Sequence, residues 1–192
     1  NLFVNSGSPI LNKLGEDFEF SPGINNVCLK GNPQIGSVSV NTFFGGKLGT
    51  KDDPFLITSK EDFEQINDFI GKWKEFYHYK QTTDITFGGS TISTPKIANV
   101  FKGVYNGMTF ILGGVTANTN SPFFNQVGSM SDTAVSCLKN ISLQNVSVTN
   151  SSASSWGVGA LASTIANGDI EDCHLVSGSV TSKKAGKIGG LV

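Results

Sequence analysis

The chain contains no arginine: lysine supplies all 14 of its fixed positive charges, set against 15 acidic residues for a net charge of −1. Arginine is the usual bidentate reader of guanine and phosphate, so its absence, together with the lack of a net positive field, argues against nucleic-acid recognition. It also removes the side chain most often used to clamp carboxylate or phosphate substrates. Charged residues make up only 15% of the chain, and there are only two histidines, His78 and His174. No run approaches the roughly 18 consecutive apolar residues of a membrane span. Cysteine is also scarce. Cys28, Cys137 and Cys173 make an odd number with no metal-type spacing, and they read as small buried hydrophobes. A Cys137–Cys173 disulfide is the structural alternative for two of them. The chain begins at Asn1 with neither Met nor signal peptide and stops at Gly-Gly-Leu-Val, which reads as a mature or excised piece of something longer.

What is present is glycine, 23 residues of it, with abundant Ser, Asn and Thr, the composition of a chain with many tight turns. Fourteen phenylalanines and recurrent β-branched residues supply a core and argue against disorder. Residues 1–48 carry short alternating runs such as Ser37-Val-Ser-Val40, followed by Phe43 and Phe44, and read as strands and loops or as the end of a preceding domain. Asp53-Pro54 sets a turn, since proline fixes its own φ and pushes its predecessor out of the helical region. Phe55-Leu-Ile57 reads as a short buried strand, and Thr58 with Glu61 fits a capping box. Phe63, Ile66, Phe69, Ile70, Trp73, Phe76 and Tyr77 then recur at helical spacing, predicting one amphipathic helix over 59–77.

Beyond Tyr79 the period changes to two. Asp84–Phe87, Val100–Tyr105 and Met108–Leu112 are strand-like runs punctuated by Gly, Asn and Pro. Leu138–Thr149 aligns without gaps on Ile170–Thr181, an offset of 32 residues. Polar corners recur at Asn140, Asn145 and Asn150 in one copy and at Asp172, Ser177 and Ser182 in the other. Between the corners, Ile141, Leu143, Val146 and Val148 alternate, which gives very short strands with one buried face. Such a coil buries its inner face only by stacking on coils above and below. The residues therefore predict an all-β parallel solenoid.

These segments resemble bacterial surface and secreted proteins carrying the repeat called the GLUG motif. The resemblance rests on Gly49–Ile57 as an opening G-T-x-x-D-P-aromatic-L-I segment, then Asp84-Ile-Thr-Phe87, Phe101–Ile111, a degenerate Pro122-Phe-Phe-Asn125 step, and final repeats with Gly159-Ala-Leu161 and Gly189-Gly-Leu191. It covers about residues 45–192. It implies a right-handed parallel β-helix domain over 49–192, with a capping α-helix near 59–77 and GLUG-like repeats near 123–192. It also implies export and a role in adhesion or surface architecture, and it brings no catalytic motif to carry over.

The search for chemistry reaches the same reading. Asp169, Glu171 and Asp172 form the one close acidic group of the repeats, but alternate strand residues face opposite ways and Asp172 aligns with the corner Asn140. His174 aligns with Ser142 between two inward positions and so points outward. Asp52-Asp53 reads as a turn rather than a calcium site. Gly88-Gly89 and Gly113-Gly114 precede no helix and cradle no phosphate. Asn140, Asn145 and Asn150 each open an N-x-S sequon, which stacked corner residues explain as well as glycosylation does. Trp156, in the polar 151–155 loop, is the candidate contact for a glycan or partner protein, with packing over the coil edge as the competing role. The expectation is a non-catalytic, secreted or cell-surface module without catalytic residue, cofactor or metal. It would meet a host or neighbouring-cell surface protein or glycan, or associate with itself through β-helix ends. The alternatives are a structural subunit of an extracellular filament or surface layer, suggested by the unfinished repeat at Leu191-Val192, and a carbohydrate-active lyase or hydrolase.

Overall fold

The computed structural model describes residues 8–13, 16–18, 39–41, 44, 47–72, 76–151, 157–183 and 187–192. Near the N-terminus, β1 (Ser8–Lys13) pairs antiparallel with β2 (Glu16–Phe18) and β3 (Ser39–Asn41). Everything after these is parallel.

One sheet runs β4 (Phe55–Ile57), β5 (Tyr77–Gln81), β8 (Gly103–Asn106), β11 (Ser136–Lys139) and β14 (Gly168–Glu171). A second runs β6 (Ile85–Ile92), β9 (Ile111–Ala117) and β12 (Ser142–Asn150), with β15 (His174–Leu175) and β16 (Gly178–Ser182) both paired to β12. The third runs β7 (Ile97–Phe101), β10 (Phe124–Val127) and β13 (Ala162–Ile165). From β5 to β14 the chain visits the three sheets in rotation, adding one strand to each in turn, and β15 and β16 then both extend the second sheet. The two aligned repeats lie side by side as neighbouring parallel strands at the expected offset: Leu138 pairs with Ile170, Leu143 with Leu175 and Val148 with Val180.

The inward alternation is kept. Ile141, Leu143, Val146 and Val148 are fully buried, while Ile170, Leu175 and Val180 of the next layer pack on them half-buried. Aromatic rings stack between layers, Tyr79 on Phe101 at 5.7 Å and Phe101 on Phe124 at 5.1 Å. Three of the six corners take a left-handed backbone: Asn140, Asn145 and Asp172 sit at φ of 53°, 52° and 48°. Asn and Asp tolerate this left-handed region because their short polar side chains bond locally. Asn140 Nδ2 donates to Asn106 Oδ1 at 3.0 Å, Ser177 Oγ donates to Asn145 Oδ1 at 3.3 Å, and Asn150 Nδ2 donates to Asn120 Oδ1. Asn150 is 1% exposed, so its sequon is closed to a glycan in the folded chain.

Four expectations need correction. The helix α1 spans Lys60–Lys72, not 59–77; Tyr77 opens β5, in which Tyr77, Tyr79 and Gln81 are buried at period two, and strand pairing wins over helical spacing there. Trp73 lies outside the described residues. The N-cap is Ser59 rather than Thr58. Asp62 N–H donates to Ser59 Oγ at 3.1 Å, while Thr58 N–H and Oγ1 both donate to Asp62 Oδ2. Asp62 thus closes the box that was assigned to Glu61, and such a cap contributes about 1 kcal/mol. The run Val100–Tyr105 breaks into β7 and β8 at Lys102, and Gly103 opens β8. Finally, Met108 and Thr109 form a positive-φ turn, so β9 starts at Ile111.

Helix α1 closes the start of the stack. Phe63, Ile66, Phe69 and Ile70 are buried, and the Phe63 ring meets Phe87, Tyr105, Phe123 and Phe124 edge-on. On the same helix, Asn67 Oδ1 accepts from the backbone N–H groups of Ala98 and Asn99 at 2.9 and 3.0 Å. It thereby satisfies the outer edge of β7, which would otherwise offer free donors to another strand.

Buried polar groups are few. Gln81, fully buried, donates to Thr83 O and Ile111 O at 2.8 Å each and accepts from Tyr105 OH at 2.9 Å. Tyr79 OH is buried with no partner, and burial pushes its phenol pKa up. An unsatisfied hydroxyl forfeits its hydration and gains nothing in return. Tyr79→Phe is therefore expected to match or exceed the parent in stability, by up to about 1 kcal/mol. A urea midpoint clearly below the parent's would reveal a partner for this hydroxyl.

Candidate functional site

The outward positions of the five-stranded sheet are set by the same alternation that buries Tyr77, Tyr79 and Gln81. His78 and Lys80 of β5 point out, then Val104 and Asn106 of β8, Cys137 and Lys139 of β11, and Asp169 and Glu171 of β14. Register stacks them in two columns, one running His78, Val104, Cys137, Asp169 and the other Lys80, Asn106, Lys139, Glu171. At the β5 end the loop before β4 adds Lys51 and Asp52, and the surface dips into a shallow groove of about 350 Å³. Pro54, Val104 and Met108 form its apolar parts. Phe76, 37% exposed, stands edge-on to the His78 ring at 5.8 Å.

Every other lysine whose ion pair is seen lies elsewhere: Lys47 with Asp53, Lys60 with Glu61, Lys96 with Glu64 and Lys102 with Asp132. Among the described residues no carboxylate comes within ion-pair distance of Lys51, Lys80 or Lys139. Burial holds the His78 pKa below its usual value, reinforced by the charges of Lys51 and Lys139 and opposed by Asp52. A histidine pKa lower in the folded than in the unfolded chain means that the unfolded chain takes up its proton first. The stability tied to neutral His78 is present above the unfolded value of 6.5 and is lost as pH falls through the lower folded value. Thermal melts from about pH 7.5 to 5.5 should therefore show a larger loss for the parent than for His78→Gln. Equal losses would show that neither burial nor these lysines perturb the imidazole.

The residues singled out in the sequence fare differently. Asp169 and Glu171 share the outer face of β14, both exposed, whereas Asp172 turns away at its corner. His174 is exposed, as its alignment required. Cys137 and Cys173 are free thiols, not a disulfide. Cys137 faces outward beside Val104 and Asp169, whereas Cys173 turns to the carbonyls of Glu171 and Leu138. Burial pushes the Cys137 thiol up and Cys173 to about 11, so both stay protonated and unreactive at neutral pH. Asp53 accepts from Leu48 N–H and pairs with Lys47 at 2.9 Å, which keeps its carboxyl below the usual range and makes it a turn residue. Among the described residues no three His, Cys, Asp or Glu side chains are placed to share a metal ion. Cys28 and Trp156 lie outside the described residues. The groove itself went unread in the sequence, because Lys51, Lys80 and Lys139 share no spacing and meet only through strand register.

No protein-family profile matches the chain, and no solved structure matches it. Among curated proteins it is similar to Halomucin of Haloquadratum walsbyi, 31% identical over 167 residues that cover 82% of this chain. The chain spans about 2% of the length of that curated relative.

Proposed function

We propose that this chain is a right-handed parallel β-helix with GLUG-like repeats, working as a non-catalytic extracellular module for surface adhesion or interaction. The observation that carries the reading is the rotation of the chain from β5 to β14 through three parallel sheets, the two repeats pairing in register at an offset of 32 residues. A stack built in this way is a rigid scaffold whose core is wholly committed to packing, so function falls to its outer faces and corner loops. The similarity to Halomucin, a protein named as a mucin, is in keeping with a secreted or surface location. No described helix is long and apolar enough to cross a membrane.

The test is a solid-phase binding assay of the full chain against neutral and acidic polysaccharides and extracellular matrix polymers, with release of reducing ends and unsaturated products followed in parallel. Saturable retention on at least one polymer without new products is expected. Time-dependent depolymerisation, or failure to be retained on any of them, overturns the reading.

A further inference from the structure

We propose that the groove on the outer face of the five-stranded sheet binds an acidic glycan, its carboxylate or sulfate groups held by Lys51, Lys80 and Lys139. This inference rests on the reading of the chain as a binding module and assigns that module its ligand class and its surface. Three observations carry it.

The first is an excess of positive charge. Three lysines line one concavity, none within ion-pair distance of a carboxylate among the described residues; Asp52 is the sole acidic residue among those lining it, and Glu171 neighbours Lys139 in the outward column just beyond it. Lys47, Lys96 and Lys102, by contrast, are each held by a carboxylate.

The second is spacing. Lys80 on β5 and Lys139 on β11 belong to one outward column with β8 between them. Their stems are therefore separated by two strand steps, about 10 Å. That separation suits acid groups repeated along an extended polymer laid across the strands better than one compact anion. Lysine, a mobile point charge without a planar fork, suits such loosely oriented acid groups.

The third is the neutral part of the surface. Met108, 40% exposed, lines the groove, and the Phe76 ring, 37% exposed, stands edge-on to the lining His78, so apolar surface of the kind a pyranose face covers lies beside the charges. Asn106 lies in the column between the two lysines, its Oδ1 committed to Met108 N–H and Asn140 Nδ2 and its Nδ2 left to donate outward to a hydroxyl. An acidic peptide would use the charges but not these faces.

The two histidines make the test direct, with His78 lining the groove and exposed His174, three layers away, serving as an internal reference. The full chain is titrated with oligogalacturonate, a sulfated oligosaccharide, a neutral oligosaccharide of equal length and poly-glutamate, while imidazole NMR shifts are followed. The expected result is saturable movement of His78 with at least one acidic sugar, a rise in its pKa because the bound anion offsets Lys51 and Lys139, and no change at His174. Combined Lys80→Ala and Lys139→Ala should weaken binding at least about tenfold, and Lys80→Arg with Lys139→Arg should restore most of it. Equal binding of poly-glutamate or of the neutral sugar overturns the ligand class. Binding that leaves His78 unmoved and survives the double alanine variant overturns the groove, yet leaves the adhesion reading standing on another surface. Retention on no polymer at all removes both.

Discussion

A Phe63→Ala variant loses about 3–5 kcal/mol of unfolding free energy, the upper range for a single truncation in a core. Phe63 is fully buried, and its ring meets Phe87, Tyr105, Phe123 and Phe124 at 5.6–6.0 Å, all near edge-to-face. Those four partners come from different strands and loops, so the cavity left by alanine cannot close by moving one element. The same ring fixes the helix that covers the edge of β7 through Asn67. Losing it frees an edge as well as opening a void, and the variant should show concentration-dependent aggregation near its transition. Urea denaturation followed by far-UV circular dichroism measures the loss. A change below about 1 kcal/mol would mean that α1 does not seat in the stack.

Gly103→Ala is expected to cost about 3 kcal/mol or more, for a reason that has nothing to do with lost contacts. Gly103 turns the chain from β7 into β8 at a φ of 137°, a conformation that side-chain-bearing residues rarely adopt. A Cβ there would stand 2.1 Å from the carbonyl oxygen of Tyr77 in the layer below. The obstacle is backbone held in a parallel ladder, which cannot swing aside as a side chain would. With a urea slope of about 2 kcal/mol/M the midpoint should fall by roughly 1.5 M. By contrast, Gly88→Ala meets no atom within 4 Å and bears the positive-φ cost alone, about 1–2 kcal/mol. If the two variants lost equal stability, the close layer contact at Gly103 would be refuted.

The late layers were legible because their residues repeat at one interval with matching apolar positions, so Ile141, Leu143, Val146 and Val148 announce both strand and partner. The early layers were not, since Phe55 pairs with Tyr79 and Tyr79 with Tyr105 at unequal intervals and with unlike neighbours. Local patterns also overlapped. Thr58 with Glu61 and Ser59 with Asp62 are boxes one residue apart, and only the side-chain bonds of Asp62 choose between them. Phe76 and Tyr77 satisfy helical spacing from Trp73 and strand alternation toward Tyr79 equally well; pairing of Tyr77 with Gly103 decides it. The groove was illegible for a different reason. It is written in which strands become neighbours, a non-local property that brings Lys51, Lys80 and Lys139 together from loops and strands far apart in the chain. Corner residues stand between these cases. Their positions were readable as a polar repeat, but only three of the six, Asn140, Asn145 and Asp172, take the left-handed backbone that few residues other than glycine tolerate.

The outer face exists only if the repeat layers lie parallel and in register, and paired cysteines measure that directly. In a background with Cys28, Cys137 and Cys173 replaced by Ser, one variant carries Ser147→Cys with Ser179→Cys, residues that face each other across β12 and β16. Its Cα atoms lie about 4.8 Å apart, within disulfide range, whereas Ser147→Cys with Thr181→Cys spans about 8 Å and exceeds it. Under mild oxidation the in-register pair should close to an intramolecular disulfide, and the offset pair should remain as thiols. Closure of the offset pair with the in-register pair left open would contradict the stacked architecture and everything inferred from its outer face.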